Sequence, residues 1–261
     1  MSEIWDGLGD FERRALRFHD EERDTFVSGA GPGVIIIHEI PGITPEVARF
    51  ARWVREAGFR VYLPSLLGRP GQPNGAGYAL SSMARACIAR EFTLLSEGKT
   101  SPIVAWLTAL AKTAKAECGG AGVGALGMCF SGNFSVAMMI EPETVAPVMC
   151  QPSLPVNAPG GLGMSPQDAA AVKARLERED LTIRAYRFAG DPLCRAARFE
   201  TLSRTFGPRF EGVTLPDSAA KPDTFLKSPH SVVTTHLVDE QGSPTRRAVE
   251  EIIAFFRARL I

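Results

Sequence analysis

The chain has 261 residues, 45% hydrophobic and 22% charged, which suits one large or two small globular domains with a sizeable core. Lys plus Arg balances Asp plus Glu at 29 each, so no broad electropositive field exists and nucleic acid is excluded as a first-choice partner. No run reaches the roughly 18–20 apolar residues of a spanning helix, and the charged, interrupted N-terminus carries no leader, so a cytoplasmic protein without a membrane partner is expected.

In chain order, "GVIIIHE" (33–39) is a short β-branched run after a Gly-Pro-Gly turn, the pattern of a strand buried on both faces. "TPEVARFARWVREAGF" follows, with a Thr cap, Pro at the first helical position, apolar Val47, Phe50, Trp53 and Val54, and a Gly stop at 58. "RVYLPSLLG" closes this βαβ unit as a second strand. Helical stretches are expected within 79–98 and over 101–118. "GVGALGMCF" reads as a buried strand and "SGNFSVAMMI" as a helix. "VAPVMCQPS" and "TIRAYRFAGD" are strands, "RAARFETLSRTF" a helix, "RFEGVTLP" a strand, and "TRRAVEEIIAFFRARLI" an amphipathic closing helix. The Pro/Gly-rich stretches at 64–78 and 152–165 are loops, because the alternation resumes beyond each. One α/β domain spanning 1–261 is expected, a mainly parallel sheet covered by helices, with residues 1–30 as an extension leading into it. Ligands in such sheets bind beyond the carboxyl ends of the strands, so residues just after strands are the candidates for chemistry.

Five cysteines (87, 118, 129, 150 and 194) at irregular spacing point to reduced thiols. Cys129 stands out in "GMCFSG", where a strand gives way to a helix. A nucleophile elbow needs small residues two positions before and near two positions after the nucleophile, and Gly127, Ser131 and Gly132 supply them. A helix starting there would aim N–H groups at the sulfur and favour thiolate. The motif alone fits a buried filler cysteine equally well. An elbow demands an acid and then a histidine downstream. Of the four histidines, only His230 and His236 follow it, both in "SPHSVVTTHLVDEQGSP". Asp191, in the Gly-Asp-Pro after a strand, can orient an imidazole, although a turn aspartate has the same look. After the first long strand, Ile40 occupies the position of an oxyanion N–H donor, and Glu39 sets a carboxylate in the same cleft. His38-Glu39 lacks metal-site spacing, so His38 is read as structural and no metal is expected.

Together "HEIPGI", "GMCFSG", "GDPL" and "PHSV" resemble the dienelactone hydrolase family of the α/β-hydrolase fold, in the right order and over residues 30–260. The resemblance implies a Cys129–His230–Asp191 triad, His230 being chosen by the family's "HS" pattern. It also implies Glu39 as the acidic partner of the resting thiol, and oxyanion donation from the N–H groups of Ile40 and Phe130. The expected reaction is hydrolysis of a small lactone or activated ester with no cofactor. The family more often has glycine where Ser131 stands, and residues 1–30, 64–100 and 152–178 look longer than in a minimal member. Family members acting on dienelactone hold its carboxylate with arginines, for which Arg85 and Arg90 are the nearby candidates. A hydrolase of other ester or thioester specificity and a non-catalytic ligand-binding member are the alternatives.

Overall fold

The computed structural model describes residues 5–88, 102–153 and 158–261, with residues 83–88 by backbone alone. Eight strands form one sheet in the order β1-β2-β4-β3-β5-β6-β7-β8. They are β1 (Glu12–Phe18), β2 (Glu21–Ser28), β3 (Gly33–Ile37), β4 (Arg60–Pro64), β5 (Val123–Met128), β6 (Thr144–Cys150), β7 (Ile183–Phe188) and β8 (Phe210–Leu215). β2 runs antiparallel to both β1 and β4, and every other pairing is parallel. This is the α/β-hydrolase architecture.

The five residues of β3 are all buried, and they alternate between the two layers. Ile35 and Ile37 pack with Val104, Leu107 and Leu110 of one helix, Pro102–Cys118 (α3). Val34 and Ile36 pack with Val47 and Phe50 of Pro45–Glu56 (α1) and with Val249, Ile252 and Phe256 of Pro244–Leu260 (α7). Burying each such side chain contributes about 1.5–3 kcal/mol, which is why this unbroken aliphatic run belongs at the centre of the sheet. α1 starts where expected: Thr44 Oγ1 accepts from Val47 N at 3.4 Å and Pro45 opens the first turn. It stops before Gly58, whose φ of 99° a side chain would resist. The other α-helices among the described residues are Ala76–Ile88 (α2), Gly132–Ala137 (α4), Pro166–Arg178 (α5) and Ala196–Phe206 (α6). Of the helix expected within 79–98, the part beyond residue 88 lies outside the described residues.

Two expectations change. Residues 12–28 are not a lead-in but the outermost two strands of the sheet, joined by a tight turn at His19 and Asp20, with φ of 50° and 65°. Both signs suit a type I′ hairpin, although the usual Asn-Gly signal is absent. The stretch 152–178, expected only as a loop over 152–165 and long for the family, contains α5, capped by Ser165 Oγ accepting from Asp168 N at 3.0 Å.

The chain passes from β3 through α1 to β4 on one side, then crosses back to β5 on the other. The strand order therefore reverses at β3/β5, and the crevice above their carboxyl ends is where this topology binds ligands. Glu39 and Ile40 leave β3 there, and Cys129 leaves β5 there. No helix among the described residues is long and apolar enough to cross a membrane.

Candidate active site

Cys129 follows β5 directly and has φ 56°, a left-handed conformation that costs a non-glycine residue about 1–2 kcal/mol. The turn is paid for by close packing around it. A Cβ on Gly127 would lie 2.1 Å from the Ser131 carbonyl oxygen, and one on Gly132 would lie 2.8 Å from Pro152 Cα. Ser131, where the family more often has glycine, is fully buried, and its hydroxyl accepts from Met128 N at 2.9 Å. The same hydroxyl is 3.0 Å from the Ile37 carbonyl and 3.1 Å from that of His38, so it ties the elbow to the end of β3. Cys129–Ser131 form a 3-10 turn leading into the short α4, which gives a helical start as expected but only a brief one. Ser153, just past β6, clamps the other side. Its N–H donates to the Cys129 carbonyl at 3.1 Å, and its Oγ is 3.0 Å from Cys129 Sγ.

Asp191 follows β7 and is buried, with Oδ1 accepting from the N–H groups of Leu193 (2.9 Å) and Cys194 (3.0 Å). Oδ2 lies 2.7 Å from His230 Nδ1. Burial works against the Asp191 charge, but the hydrogen bond and charge of His230 and the two N–H donors prevail and lower its pKa. Burial likewise works to lower the pKa of His230. The Cys129 sulfur, the Asp191 bond and the Asp191 charge outweigh it and hold that imidazole well above its ordinary value. His230 Nε2 is buried and makes no hydrogen bond of ordinary geometry, yet the Cys129 sulfur raises its pKa both by charge and through a loose hydrogen bond. Such bonds are commonly long before substrate arrives and tighten in the reacting complex.

Glu39 is buried, but its hydrogen bonds go to the histidine loop and to Gln151 just past β6 rather than to Cys129. Oε2 accepts from Ser231 Oγ at 2.7 Å and Gln151 Nε2 at 3.2 Å, and Oε1 accepts from Thr234 Oγ1. Gln151 Oε1 also accepts from Val232 N at 3.2 Å, so this side chain bridges the carboxylate and the loop backbone. Burial raises the Glu39 pKa, and the three donors with the His230 charge only partly offset it. In this arrangement Ser153, not Glu39, is the hydrogen-bond partner of the sulfur.

The structure thus brings Cys129, His230 and Asp191 to one crevice, with Ile40 and Phe130 at the strand exits beside them. His236 stands six residues past His230 and bonds to main chain and to Thr224 Oγ1, not to Asp191. His38 is structural: Nδ1 lies 2.7 Å from the Glu39 carbonyl and Nε2 accepts from Leu66 N at 2.9 Å, while burial lowers its pKa to about 4. Arg90 and the side chain of Arg85 lie outside the described residues. Among those described, no group of three or more His, Cys, Asp or Glu could hold a metal ion. Sequence reasoning passed over Gln151, Ser153, Ser231 and Thr234. The first two carried a usable signal, since they directly follow a strand of the central sheet.

The family model described as "Dienelactone hydrolase family" matches residues 25–156, half of the chain. No curated protein sequence matches. Among solved structures, the chain is similar to a Klebsiella pneumoniae protein provisionally assigned as a dienelactone hydrolase, at 14% identity over 95% of this chain and 98% of that one, with TM-score 0.63. It is similar to a dienelactone hydrolase from Anabaena variabilis, at 13% identity over 97% and 100% of the two chains, TM-score 0.60. It is also similar to a cold-adapted esterase from an Arctic intertidal metagenomic library, at 12% identity over 99% and 100%, TM-score 0.60. Identities this low speak to fold alone.

Proposed function

Since the chain belongs to the dienelactone hydrolase family of carboxylic ester hydrolases, we propose that it cleaves a lactone or activated ester through Cys129, by way of a thioester acyl-enzyme. The observation that best supports this reading is the His230–Asp191 pair at 2.7 Å, whose outer nitrogen is buried and answers to Cys129 in its left-handed elbow. The domain is taken as one unit spanning the whole chain.

His230, oriented by Asp191, accepts the Cys129 proton at Nε2. The sulfur attacks the acyl carbon, and the oxyanion is held by the N–H groups of Ile40 and Phe130. As the tetrahedral adduct collapses, the C–O bond breaks and the departing enolate or alkoxide takes the proton from Nε2. Water then enters, gives a proton to His230 and attacks the thioester; collapse releases the acid and restores the thiol. A thiolate leaves readily from the first adduct, so forward reaction needs a substrate whose own leaving group is good. Enol lactones and aryl esters meet that requirement. Glu39 serves as the buried acid that fixes the histidine loop. The scheme calls for no metal or organic cofactor.

The test is hydrolysis of p-nitrophenyl acetate and of cis- and trans-dienelactone, with intact-mass detection of the acylated enzyme after rapid acid quench. Cys129→Ala and His230→Ala are each expected to lose about 10³-fold or more in kcat. Wild-type turnover in Cys129→Ala, or an acyl adduct on another residue, overturns the cysteine mechanism.

A further inference from the structure

The histidine loop contains a second buried imidazole that the reaction scheme does not use. His236 Nδ1 accepts from the main-chain N–H of His230 at 3.3 Å and of Ser231 at 3.2 Å. Across the ring, Nε2 lies 3.2 Å from the Leu226 carbonyl and 3.1 Å from Thr224 Oγ1. Thr224 Oγ1 spends its only hydrogen on Leu226 O at 2.7 Å, so toward His236 it can only accept. Two donors meet one nitrogen and two acceptors meet the other. One protonation state satisfies all four contacts: neutral imidazole with hydrogen on Nε2 and a lone pair on Nδ1.

We infer that His236 is the positioning residue of this site, setting the backbone of His230 through its neutral Nε2–H form, and that protonation of His236 releases His230 and switches turnover off in acid. This rests on His230 being the base. A proton on Nδ1 would face two N–H groups, so the contacts to His230 and Ser231 turn from attraction to repulsion. The ring beside Asp191 then loses the main-chain anchor that orients it.

The surroundings are arranged for such a switch. Burial favours neutral His236 and lowers its pKa, and the His230 charge acts the same way, against the Leu226 carbonyl and the Asp191 charge. Phe188 of β7 packs edge-on, ring centroids 6.1 Å apart. On its outer side, His236 lines a cavity of about 480 Å³ with Asp217, Lys221, Asp223 and Lys227, which opens a route for proton exchange. The ionisable groups facing His236 are therefore His230 and Asp191 on the inside and two acids and two lysines across the cavity. Burial, with the His230 charge, outweighs the Leu226 carbonyl and the Asp191 charge and sets the direction. His236 is also knotted into the loop it controls: its N–H donates to Ser231 O at 3.0 Å, and its carbonyl accepts from Lys221 N at 2.8 Å.

The sign follows directly. A histidine with a lowered pKa in the fold contributes its arrangement fully above the ordinary histidine value, and loses it as pH falls through the lower folded value.

Two substitutions separate positioning from mere packing. His236→Asn places an amide oxygen where Nδ1 stands, keeping an acceptor for both N–H groups but unable to take a proton. His236→Phe fills the space with no acceptor. His236→Phe is expected to lose roughly ten- to a hundredfold in kcat at neutral pH with KM within about twofold, as a small displacement of a catalytic group does. His236→Asn is expected to recover most of that kcat, and its activity to persist to lower pH than in wild type. Full kcat in His236→Phe, or an acid limb in His236→Asn identical to that of wild type, overturns the inference. Long-range ¹H–¹⁵N spectra of wild type read the ring directly and do not depend on turnover. They are expected to show His236 as the Nε2–H form at neutral pH, and the Nδ1–H form overturns the inference. If instead Cys129→Ala retains activity while the spectra show Nε2–H, it is the cysteine mechanism that has failed and not the role of His236 in the loop.

Discussion

Cys129 and His230 meet in one crevice, yet different forces hold them there. The elbow is fixed by shape. Gly127 and Gly132 are positions where a methyl group would enter a carbonyl oxygen or Pro152, and Ser131 adds uncharged hydrogen bonds to β3. The histidine loop is fixed by polar side chains: from elsewhere in the chain, Asp191 on the ring and Glu39 on Ser231 and Thr234, and from within the loop, His236 on the backbone. Packing is indifferent to pH, whereas a buried carboxyl group and a buried imidazole are not. Cys129 is thus held by contacts that do not titrate, and His230 by groups that do.

Gly127→Ala is the most severe way to break the comparison. Its Cβ would sit 2.1 Å from the Ser131 carbonyl oxygen, so the backbone must shift. A loss of roughly 3 kcal/mol in urea unfolding is expected, equal at pH 5 and pH 8. A loss that varies with pH would show that charge, too, holds the elbow.

Glu39→Gln tests the other side, at smaller amplitude. The folded Glu39 has a raised pKa, so between the ordinary carboxyl value and the raised one the fold binds a proton that the unfolded chain has lost. Its contribution is complete below the ordinary value and fades as pH rises through the folded one. Gln resembles the protonated acid, so the melting temperatures should nearly coincide near pH 4. Above that, wild type should fall behind Gln by a few degrees. A gap opening in the opposite direction would mean that the three donors, not burial, govern this carboxyl group.

Ser153→Ala carries the smallest effect. It removes one hydroxyl from the sulfur, 3.0 Å away, and leaves the backbone bond to Cys129 in place. Alkylation of Cys129 by iodoacetamide should slow severalfold, about tenfold at most, as befits one hydrogen bond. A larger drop would make a side-chain contact, rather than packing, the main support of the nucleophile.

The elbow was legible in the sequence because shape constraints are local: Gly127, Ser131 and Gly132 lie within five residues of Cys129. That Cys129, Asp191 and His230 would meet was legible because topology fixes which strand ends converge. The destination of the Glu39 side chain was not, since its partners Ser231 and Thr234 come 192 and 195 residues later. No short-range pattern encodes a contact of that reach. The hairpin of β1 and β2 was missed for a related reason. Its residues are charged on both faces, with Arg13 pairing with Asp24 at 2.6 Å on one and Arg14 with Glu12 at 2.8 Å on the other, so apolar alternation is faint. Pairing with β4, through Phe26↔Leu63 and Val27↔Tyr62, makes it part of the sheet. The helix α5 lay hidden behind the Pro/Gly-rich stretch that precedes it, although Ser165-Pro166 was a readable start.

The long reach of the Glu39 contacts bears on how such a site tolerates change in length. Ser131 meets Ile37 across 94 residues of chain, while Glu39 meets Thr234 across 195. Doubling a loop adds only about 0.6 kcal/mol to the entropy of closing it. What lies between the anchoring points can therefore grow or shrink at little expense, provided both ends still arrive. Residues 64–100 and 152–178, the stretches that look long for this family, fall within that span. Cys129 and His230 are in this sense insulated from changes in the length of the chain between their anchors.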